Sequence, residues 1–387
     1  MGCARTAIAK FFRTRAASGS RPGKGRDGCP SSRITSSICR NRWTGSCRAP
    51  PRGSTSSTAV TRSRPGAGRA VATVSRLASL LRDGRFVVTA ELSSSNSADP
   101  DATWRRAEVL RGSVDAINCT DNTGAHVHMS SLAASHLLVE KGLEPVMQLT
   151  VRDRNRLALQ ADLLGAAALG IHNILLMSGD DVTAGDHPEA RRIYDIDSMQ
   201  LVEVAAAMRD RGTYLSGRKL EQAPAFFIGA VENPFAPPLE FRPLRLQKKV
   251  QAGADFIQTQ LVFDVPLFAR FMAMAVDLGL PDKVFIIPSI GIPRSARGAH
   301  FMREKVPGLH VPDALVARLE KTPPGRQAEE GIQIAVELVN AVREIPGVAG
   351  VHLIGIKWEE GVVQVADAAG LLPRPTLSPI ATVGGSR

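Results

Sequence analysis

The sequence predicts a (β/α)8 barrel, in which eight parallel strands alternate with helices around a closed sheet. Two observations carry this prediction. Eight short apolar runs rich in Val, Ile and Phe occur without clean alternation, which is typical of strands buried on both faces. Most of these runs are followed by a stretch with helical patterning, as in successive βα units. The active site of such a barrel lies at the carboxyl ends of the strands.

The eight predicted strands are short and are bounded by polar or glycine-rich residues. In chain order they cover residues 86–90, 114–118, 145–149, 174–177, 225–230, 256–259, 284–287 and 351–354. Several are followed closely by a residue that can take part in chemistry, namely Glu91, Thr120, Asp180 and Gln260. Because the carboxyl ends of parallel strands meet at one end of a barrel, we expect these side chains to converge.

Helix signals fill the segments between the strands. Ser130 and Ser131 cap one helix and Gly142 ends it, while Asp197 or Ser198 caps another. The predicted helices cover residues 99–111, 132–141, 155–169, 199–211, 242–253, 266–278 and 327–343. Residues 74–83 carry an apolar stripe at helical spacing, and we expect this helix to plug the amino-terminal face of the barrel.

Composition divides the chain into a basic leader (1–73), a catalytic barrel (74–373) and a flexible tail (374–387). The leader holds 15 of the 48 Lys+Arg and one of the 37 Asp+Glu, so its charge is +14 and that of the remainder is −3. We expect the leader to be disordered because it lacks apolar periodicity. A transit peptide, a nucleic-acid-binding arm and a misassigned start each fit it. The abrupt change at Val74 favours a misassigned start.

The body of the chain fits a cytoplasmic protein. Cys119 is the one cysteine of five that lies outside the leader, which favours a reducing compartment without a disulfide framework. No apolar stretch approaches the roughly 20 residues that a membrane span needs. His126 and His128 have no cysteine or carboxylate cluster at ligand spacing, so we predict no metal site.

Glu91 is the most informative polar residue. It follows the first apolar run and lies on the same strand face as Val87 and Thr89. A carboxyl group at a barrel mouth loses water, which raises its pKa because burial disfavours the charged form. A raised pKa suits a general acid near neutral pH. The alternative is a carboxylate paired with a lysine inside the barrel; we favour the functional role because acids are rarely buried.

Asp180 and Gln260 follow the fourth and sixth strands. Gly179 lets the backbone approach a ligand closely, so that Asp180 can reach it, although Gly-Asp is also ordinary turn chemistry. The Gln260 amide offers two donors and an acceptor, which suits an amide-like heterocycle such as a pterin or flavin. A ligand or a neighbouring side chain must satisfy this amide, since burying it unpaired is costly.

Basic residues precede the sixth strand and follow the third. Arg245 and Lys249 are four residues apart and share a helix face, with Lys248 beside them. This group fits either a solvated face or a clamp on a cofactor diphosphate. After the third strand come three alternating arginines, which fit phosphate contacts or a solvated loop: Arg152, Arg154 and Arg156.

Four segments together resemble methylenetetrahydrofolate reductase, a flavin-dependent (β/α)8 enzyme. They are VVTAE ending at Glu91, PVMQLTVRDRNR from Pro145, LLMSGD ending at Asp180, and KKVQAGADFIQTQLVFD from Lys248. The last segment is the most specific, and the resemblance covers residues 86–372. The ending GVHLIGIKWEEGV is similar to the branch of the family found in anaerobic one-carbon pathways.

The resemblance implies reduction of 5,10-methylenetetrahydrofolate to 5-methyltetrahydrofolate. It implies FAD at the barrel mouth, with FMN as the alternative, and NADH or NADPH as electron donor. Glu91 would be the catalytic acid and Asp180 an acid near flavin and pterin, while Gln260 would bind the pterin and Thr120 substrate or nicotinamide. The implied cofactor-binding residues are Gln148, Ser178, Gly179, Asp180, Tyr194, Asp195, Arg245, Lys248 and Lys249.

Some positions depart from the family pattern. Ser178 stands where the family has arginine, Gln148 where it has histidine, and Asn233 where it has tyrosine. These changes leave two questions open: whether the flavin is FAD or FMN, and whether the nicotinamide makes a direct contact. Two other functions also stay open: a folate-binding barrel methyltransferase or lyase without redox chemistry, and a flavin subunit that takes electrons from a partner protein. We expect a homo-oligomer, with no nucleic-acid or membrane partner.

We predict that deletion of residues 1–73 leaves fold and activity unchanged, because this segment has no apolar periodicity and precedes the first strand. The measurement compares the melting temperature and flavin occupancy of residues 74–387 with those of the full-length chain. Loss of solubility or of flavin on truncation would show instead that the basic leader has a structural or targeting role.

Overall fold

The fold is a closed barrel of eight parallel strands, seen in a computed structural model that describes residues 75–306 and 308–376. The leader 1–73 and residues 377–387 of the predicted tail lie outside the described residues. Each strand pairs with the next along the chain, and β8 closes the barrel against β1. The strands are β1 Val87–Leu92, β2 Ala116–Cys119, β3 Pro145–Thr150, β4 Asn173–Met177, β5 Phe227–Glu232, β6 Phe256–Leu261, β7 Phe285–Gly291 and β8 Gly350–Ile354. The predicted (β/α)8 fold is confirmed.

Several strands extend further toward their carboxyl ends than predicted. β1 continues through Glu91 and Leu92, and β5 continues through Glu232. The apolar runs end earlier because polar side chains begin at the barrel mouth. The backbone ladder does not depend on side-chain polarity, so pairing continues past that point: Glu91 pairs with Asn118 of β2.

Eleven α-helices occur in the described part of the chain. They are α1 Arg76–Arg82, α2 Pro100–Val109, α3 Ser131–Glu140, α4 Arg156–Ala168, α5 Ser198–Arg211, α6 Arg242–Ala252, α7 Val265–Asp277, α8 Ala296–Lys305, α9 Asp313–Lys321, α10 Gln327–Arg343 and α11 Glu359–Ala368. Asp197 rather than Ser198 is the cap of α5, in a capping box with Gln200. The sequence pattern did not predict α8, α9 or α11, each of which has ten residues or fewer. None of the described helices is long and apolar enough to cross a membrane.

Helix α1 closes the amino-terminal face of the barrel, as its apolar stripe predicts. Leu77, Leu80 and Leu81 are buried and belong to a cluster with residues at the start of the strands. That part of the cluster comprises Val87, Ala116, Val146, Phe227, Phe256 and Phe285. These side chains therefore fill the interior at the amino-terminal end of the strands. The open end of the barrel is at the carboxyl ends of the strands.

An aromatic layer inside the barrel depends on Gly229. The rings of Phe227 and Phe256 stack with their centroids 5.0 Å apart. A Cβ atom at Gly229 would lie 2.3 Å from the ring of Phe256, so a larger residue in β5 would displace this ring. The layer separates the plug helix from the space above it.

We predict that Leu80→Ala lowers the free energy of unfolding by about 2–5 kcal/mol, because it opens a cavity between the plug helix and the strands. Leu80 is 1 % exposed. The control is Leu244→Ala, because Leu244 is 43 % exposed and its loss is expected to change stability by no more than about 0.5 kcal/mol. Urea denaturation measures both. Equal effects of the two substitutions would contradict a plug that supports the barrel.

Candidate active site

The candidate site is a pocket of about 530 Å³ at the carboxyl ends of the strands. This volume is in the range of small-molecule and cofactor sites. The lining includes residues from seven strands and from loops that follow the strands. Of the residues predicted for the site, it contains Glu91, Gln148, Ser178, Gly179, Asp180 and Gln260. The structure therefore brings these six predicted residues together.

Glu91 lies at the end of β1, half-buried, with Ala90 and Leu92 fully buried on either side. Burial raises the pKa of its carboxyl group to about 7. Gln148 Nε2 donates a long hydrogen bond of 3.5 Å to Glu91 Oε2, which lowers this pKa, and the charge of Asp180 raises it. The hydrogen-bond partner of Glu91 is thus an amide and not a lysine. The raised pKa agrees with the prediction made from the position of Glu91 in the sequence.

Asp180 lies in a tight turn after β4. Gly179 has a φ of +83°, and a Cβ atom there would approach the Thr150 side chain to 3.1 Å. Gly124 N donates to Asp180 Oδ2 at 2.8 Å, and Arg152 Nη1 donates to the carbonyl oxygen of Asp180 at 2.9 Å. The carboxylate therefore joins the loops after β2 and β4 and also borders the pocket. A structural role of Asp180 in its turn is thus compatible with contact to a ligand.

An irregularity of the sheet sets the direction of the Gln260 side chain. The register between β6 and β7 shifts between Gln258 and Leu261, as at a β-bulge. Bulges are common beside active sites because they redirect a side chain. The Gln260 Oε1 atom accepts the backbone N–H of Leu261 at 2.9 Å, so part of its hydrogen-bonding capacity is met within the strand. The amide is fixed against the wall of the pocket.

A polar layer that was not predicted from the sequence lies beneath the mouth of the barrel. Asn118 Nδ2 donates to Gln258 Oε1 at 2.6 Å, and Gln258 Nε2 donates to Thr89 Oγ1 at 3.2 Å. Thr89 Oγ1 lies 2.9 Å from His352 Nδ1. Burial lowers the pKa of His352 to about 3, so this imidazole is neutral. The sequence carried one signal for this layer. Gln258 and Gln260 are two residues apart, so strand alternation predicts that both lie on the same face of β6.

Six of the predicted residues do not line the pocket, and three of them lie outside α6: Thr120, Tyr194 and Asp195. Thr120 is buried, and its Oγ1 accepts the backbone N–H of Ser94 at 2.9 Å. Asp195 accepts hydrogen bonds from Arg156 Nε at 2.7 Å and Nη2 at 2.9 Å, and this ion pair lowers the pKa of Asp195 to about 2. Tyr194 is 41 % exposed. Their roles in binding stay predictions.

The basic residues of α6 do not converge on the pocket. Lys249 is buried, and its Nζ atom lies 2.5 Å from Glu232 Oε2. Lys248 is exposed, with its Nζ 5.7 Å from the centroid of the Phe241 ring. Arg245 is half-buried. A diphosphate clamp formed by these three residues stays a prediction, and the ammonium group of Lys249 already has a carboxylate partner.

The three arginines after β3 are held by carboxylates. Arg152 pairs with Asp153, and Arg154 pairs with Asp121. The Arg152 guanidinium group also donates to Asn122 O, and it therefore links the loops after β2, β3 and β4. Arg152 and Arg154 therefore connect the loops around the pocket, whereas Arg156 is exposed and pairs with Asp195.

The family model described as "Methylenetetrahydrofolate reductase" matches residues 76–370 of the chain. This match extends from the plug helix past β8 and includes every residue that lines the pocket. The chain belongs to the methylenetetrahydrofolate reductase family. The resemblance identified from the four sequence segments is confirmed at the level of the family.

Two curated relatives show the range of similarity within the methylenetetrahydrofolate reductase family. "Methylenetetrahydrofolate reductase 2" of Schizosaccharomyces pombe is 26 % identical over 65 % of this chain and 40 % of its own length. "Probable methylenetetrahydrofolate reductase (NADPH)" of Caenorhabditis elegans is 24 % identical over 72 % of this chain and 39 % of its own length. The chain thus spans about two fifths of these relatives.

A solved structure shares the fold. It is an uncharacterized protein from Clostridium thermocellum that binds two copies of 5-methyl-5,6,7,8-tetrahydrofolic acid. The superposition covers 77 % of this chain and all of that one, with a TM-score of 0.54 and 14 % sequence identity. At this identity the similarity shows the barrel architecture alone.

We predict that Glu91→Gln stabilises the fold at alkaline pH. Glu91 has an ordinary pKa of 4.5 and a folded-state pKa of about 7, so folding favours the protonated form. The resulting destabilisation is absent below pH 4.5, grows as pH rises toward 7, and is constant above it. The amide has no such penalty, so the variant should gain about 1–3 kcal/mol at pH 8 and nothing near pH 4.5.

Urea denaturation of wild type and variant at both pH values measures this difference. The control is Glu221→Gln, because Glu221 is exposed in the loop between α5 and β5. A stability difference between Glu91→Gln and wild type that does not change with pH would contradict the raised pKa of Glu91.

Proposed function

We propose that the protein reduces 5,10-methylenetetrahydrofolate to 5-methyltetrahydrofolate with a bound flavin. The observation that carries this proposal is the Glu91 carboxyl group, which has a pKa of about 7 at the mouth of a barrel of this family. A group with this pKa is protonated in a large fraction of molecules at neutral pH and can donate its proton. The C. thermocellum protein of the same fold binds a molecule with the same methylated folate core as the proposed product.

The chemistry requires an acid. The imidazolidine ring of the substrate is closed, and hydride cannot attack its methylene carbon directly. Protonation of N10 opens the ring to a cation at N5, and this cation accepts hydride at the methylene carbon. Glu91 would supply the proton to N10 from its carboxyl oxygen. Asp180, whose charge is felt at Glu91, would stabilise the positive charge that develops.

The residues of the pocket fit a flavin ring. Gln148 and Gln260 present amide groups at the wall of a space of about 530 Å³, and amides match the amide-like edge of an isoalloxazine or a pterin. A bound flavin supplies the hydride. Gln148 would hold the ring beside Glu91. The Gln148 amide already donates a hydrogen bond to the Glu91 carboxyl group. The Ser178 and Gly179 backbone would allow close approach of the ring.

The proposed partners follow from this chemistry. The substrate is a tetrahydrofolate, and the cofactor is FAD or FMN. The electrons come from NADH or NADPH, or from a partner protein, and the full-length protein acts as a homo-oligomer.

Absorbance in the flavin bands of the purified protein tests the cofactor. Anaerobic mixing with NADH or NADPH tests the donor, because a donor that reduces the flavin bleaches these bands. Protein that has no flavin absorbance, and regains none with FAD or FMN, would refute the redox function.

We predict that Glu91→Gln abolishes methylenetetrahydrofolate reduction but leaves flavin binding and flavin reduction by the donor intact. The amide keeps the shape of the side chain but cannot supply the proton. The expected loss is at least about a hundredfold, as for other general acids. Steady-state turnover measures the loss, and anaerobic flavin bleaching is the internal control. A variant that retains more than about a tenth of wild-type turnover would contradict this role for Glu91.

A further inference from the structure

Arg152 is a buried arginine near the pocket, and the proposed reaction gives it no part. It follows β3, is 2 % exposed and lies outside the set of residues that line the pocket. Its Nε and Nη2 atoms donate to the two carboxylate oxygens of Asp153, each at 2.7 Å. This bidentate pair fixes the plane of the guanidinium group, so its remaining N–H groups point in set directions.

The other side of the guanidinium group holds the turn that carries Asp180. Nη1 donates to the carbonyl oxygen of Asp180 at 2.9 Å, and Nη2 donates to that of Asn122 at 3.4 Å. The backbone carbonyl oxygen of Arg152 accepts the N–H of Ile193 at 2.9 Å. Asp180 and Ile193 lie near the two ends of the segment that joins β4 to α5. Arg152 therefore fixes both ends of this segment and joins it to the loop after β2.

The Asp180 carboxylate is held close to the residues that determine its effect. Its Oδ2 atom accepts the backbone N–H of Gly124 at 2.8 Å, and its charge raises the pKa of Glu91. The preceding Gly179 has a φ of +83°, and a Cβ atom there would lie 3.4 Å from Arg152 Cβ. The turn is thus packed against Arg152 as well as hydrogen-bonded to it, and displacement of the arginine would displace Asp180.

We propose that Arg152 is a positioning residue that holds the Asp180 carboxylate at the place from which it acts on Glu91 and on the substrate. The inference rests on the proposed function, in which both acids take part in the reaction. Arg152 acts through the backbone of Asp180, to which it donates, because it does not itself border the pocket. The role requires a guanidinium group, since three acceptors in different directions are held by one planar side chain.

The other titratable side chains that border the pocket leave Asp180 as the group through which Arg152 acts on Glu91. They are Asp121, Glu232 and His352. Each of the two carboxylates is paired with a cation, and burial keeps the imidazole neutral. A change in the titration of Glu91, in a variant of Arg152 that keeps its charge, therefore reports a displacement of Asp180.

Arg152→Lys keeps the positive charge and removes the planar group. An ammonium group cannot hold the Asp153 carboxylate and the Asp180 carbonyl oxygen in this geometry, so the turn is released. The released carboxylate moves toward water and away from the like charge of Glu91. The titration midpoint of Glu91 should fall by about 0.3–1 pH unit, the order of effect of one charge several ångströms away. Carbon-13 NMR of labelled glutamate carboxyl carbons measures it in the full-length chain.

The matched control is Arg209→Lys. The Arg209 side chain is also buried, donates from Nε at 2.8 Å and from Nη2 at 3.2 Å to the adjacent Asp210, and donates to two backbone carbonyl oxygens. Those carbonyl groups belong to Phe226 and Gly253, which precede β5 and β6 at the opposite end of the barrel from Asp180. This substitution should loosen the fold in a similar way and leave the Glu91 midpoint unchanged.

Asp180→Asn removes the charge through which Arg152 is inferred to act. In this background Arg152→Lys should leave the Glu91 midpoint unchanged, because both substitutions remove the same interaction. Asp153→Asn, which keeps Arg152 but removes the carboxylate that fixes its plane, replaces Arg152→Lys in both backgrounds if that variant does not fold. The same direction of shift is expected.

The enzyme with bound flavin gives a second measurement. Turnover of Arg152→Lys should fall about ten- to a hundredfold, as expected for a misplaced catalytic group. The alkaline limb of its pH profile should move to lower pH by the same amount as the Glu91 midpoint, because this limb reports loss of the acid's proton.

A midpoint that falls in Arg152→Lys, and that neither Arg209→Lys nor the Asp180→Asn background reproduces, supports the inference. An unchanged midpoint in Arg152→Lys would overturn it and leave the proposed function standing, because Arg152 would then be a loop contact alone. An equal shift in Arg209→Lys, or a shift that persists in the Asp180→Asn background, would also overturn it. Expected midpoints in a protein that does not reduce methylenetetrahydrofolate would overturn the proposed function, and with it the catalytic reason for this positioning.

Discussion

The site depends on the closure of the barrel through the pairing of β1 with β8. Val87 pairs with Gly350, and a Cβ atom at Gly350 would lie 2.4 Å from the side chain and the carbonyl oxygen of Val87. Glycine therefore permits the close approach of the first and last strands. Closure brings the carboxyl ends of strands that are distant in sequence around one pocket. It also places His352 of β8 beside Thr89 of β1, at the floor of that pocket.

The same closure creates the chemical property of Glu91. The loss of water at the barrel mouth makes the charged form of this side chain costly. The plug helix and the aromatic layer fill the barrel interior below it. A carboxyl group with a raised pKa destabilises the folded protein at neutral pH. Such a residue is expected where function requires a proton donor, because proteins retain destabilising groups at active sites.

Much of the fold was predictable from the sequence, because apolar runs and helix caps are local signals. The convergence of Glu91, Asp180 and Gln260 followed from the rule that parallel strands end together. The pairing of Glu232 with Lys249 was not predictable, since it depends on how α6 packs against β5. Neighbouring residues of one helix can have different surroundings: Lys248 faces solvent and Lys249 is buried. Their positions in the sequence do not show which of the two side chains has a buried partner. The helices α8 and α9 were not predicted because each spans ten residues or fewer, and Gly298 interrupts α8.

The central claim is that Glu91 is protonated near neutral pH because the barrel mouth removes it from water. The direct test is a carbon-13 NMR titration of protein labelled at the side-chain carboxyl carbon of glutamate, with Glu91 assigned by comparison with Glu91→Gln. The expected titration midpoint of this resonance is near pH 7. A midpoint near the ordinary value of 4.5 would show that the carboxyl group is ionised at neutral pH, and Glu91 would then lack the property on which the proposed function rests.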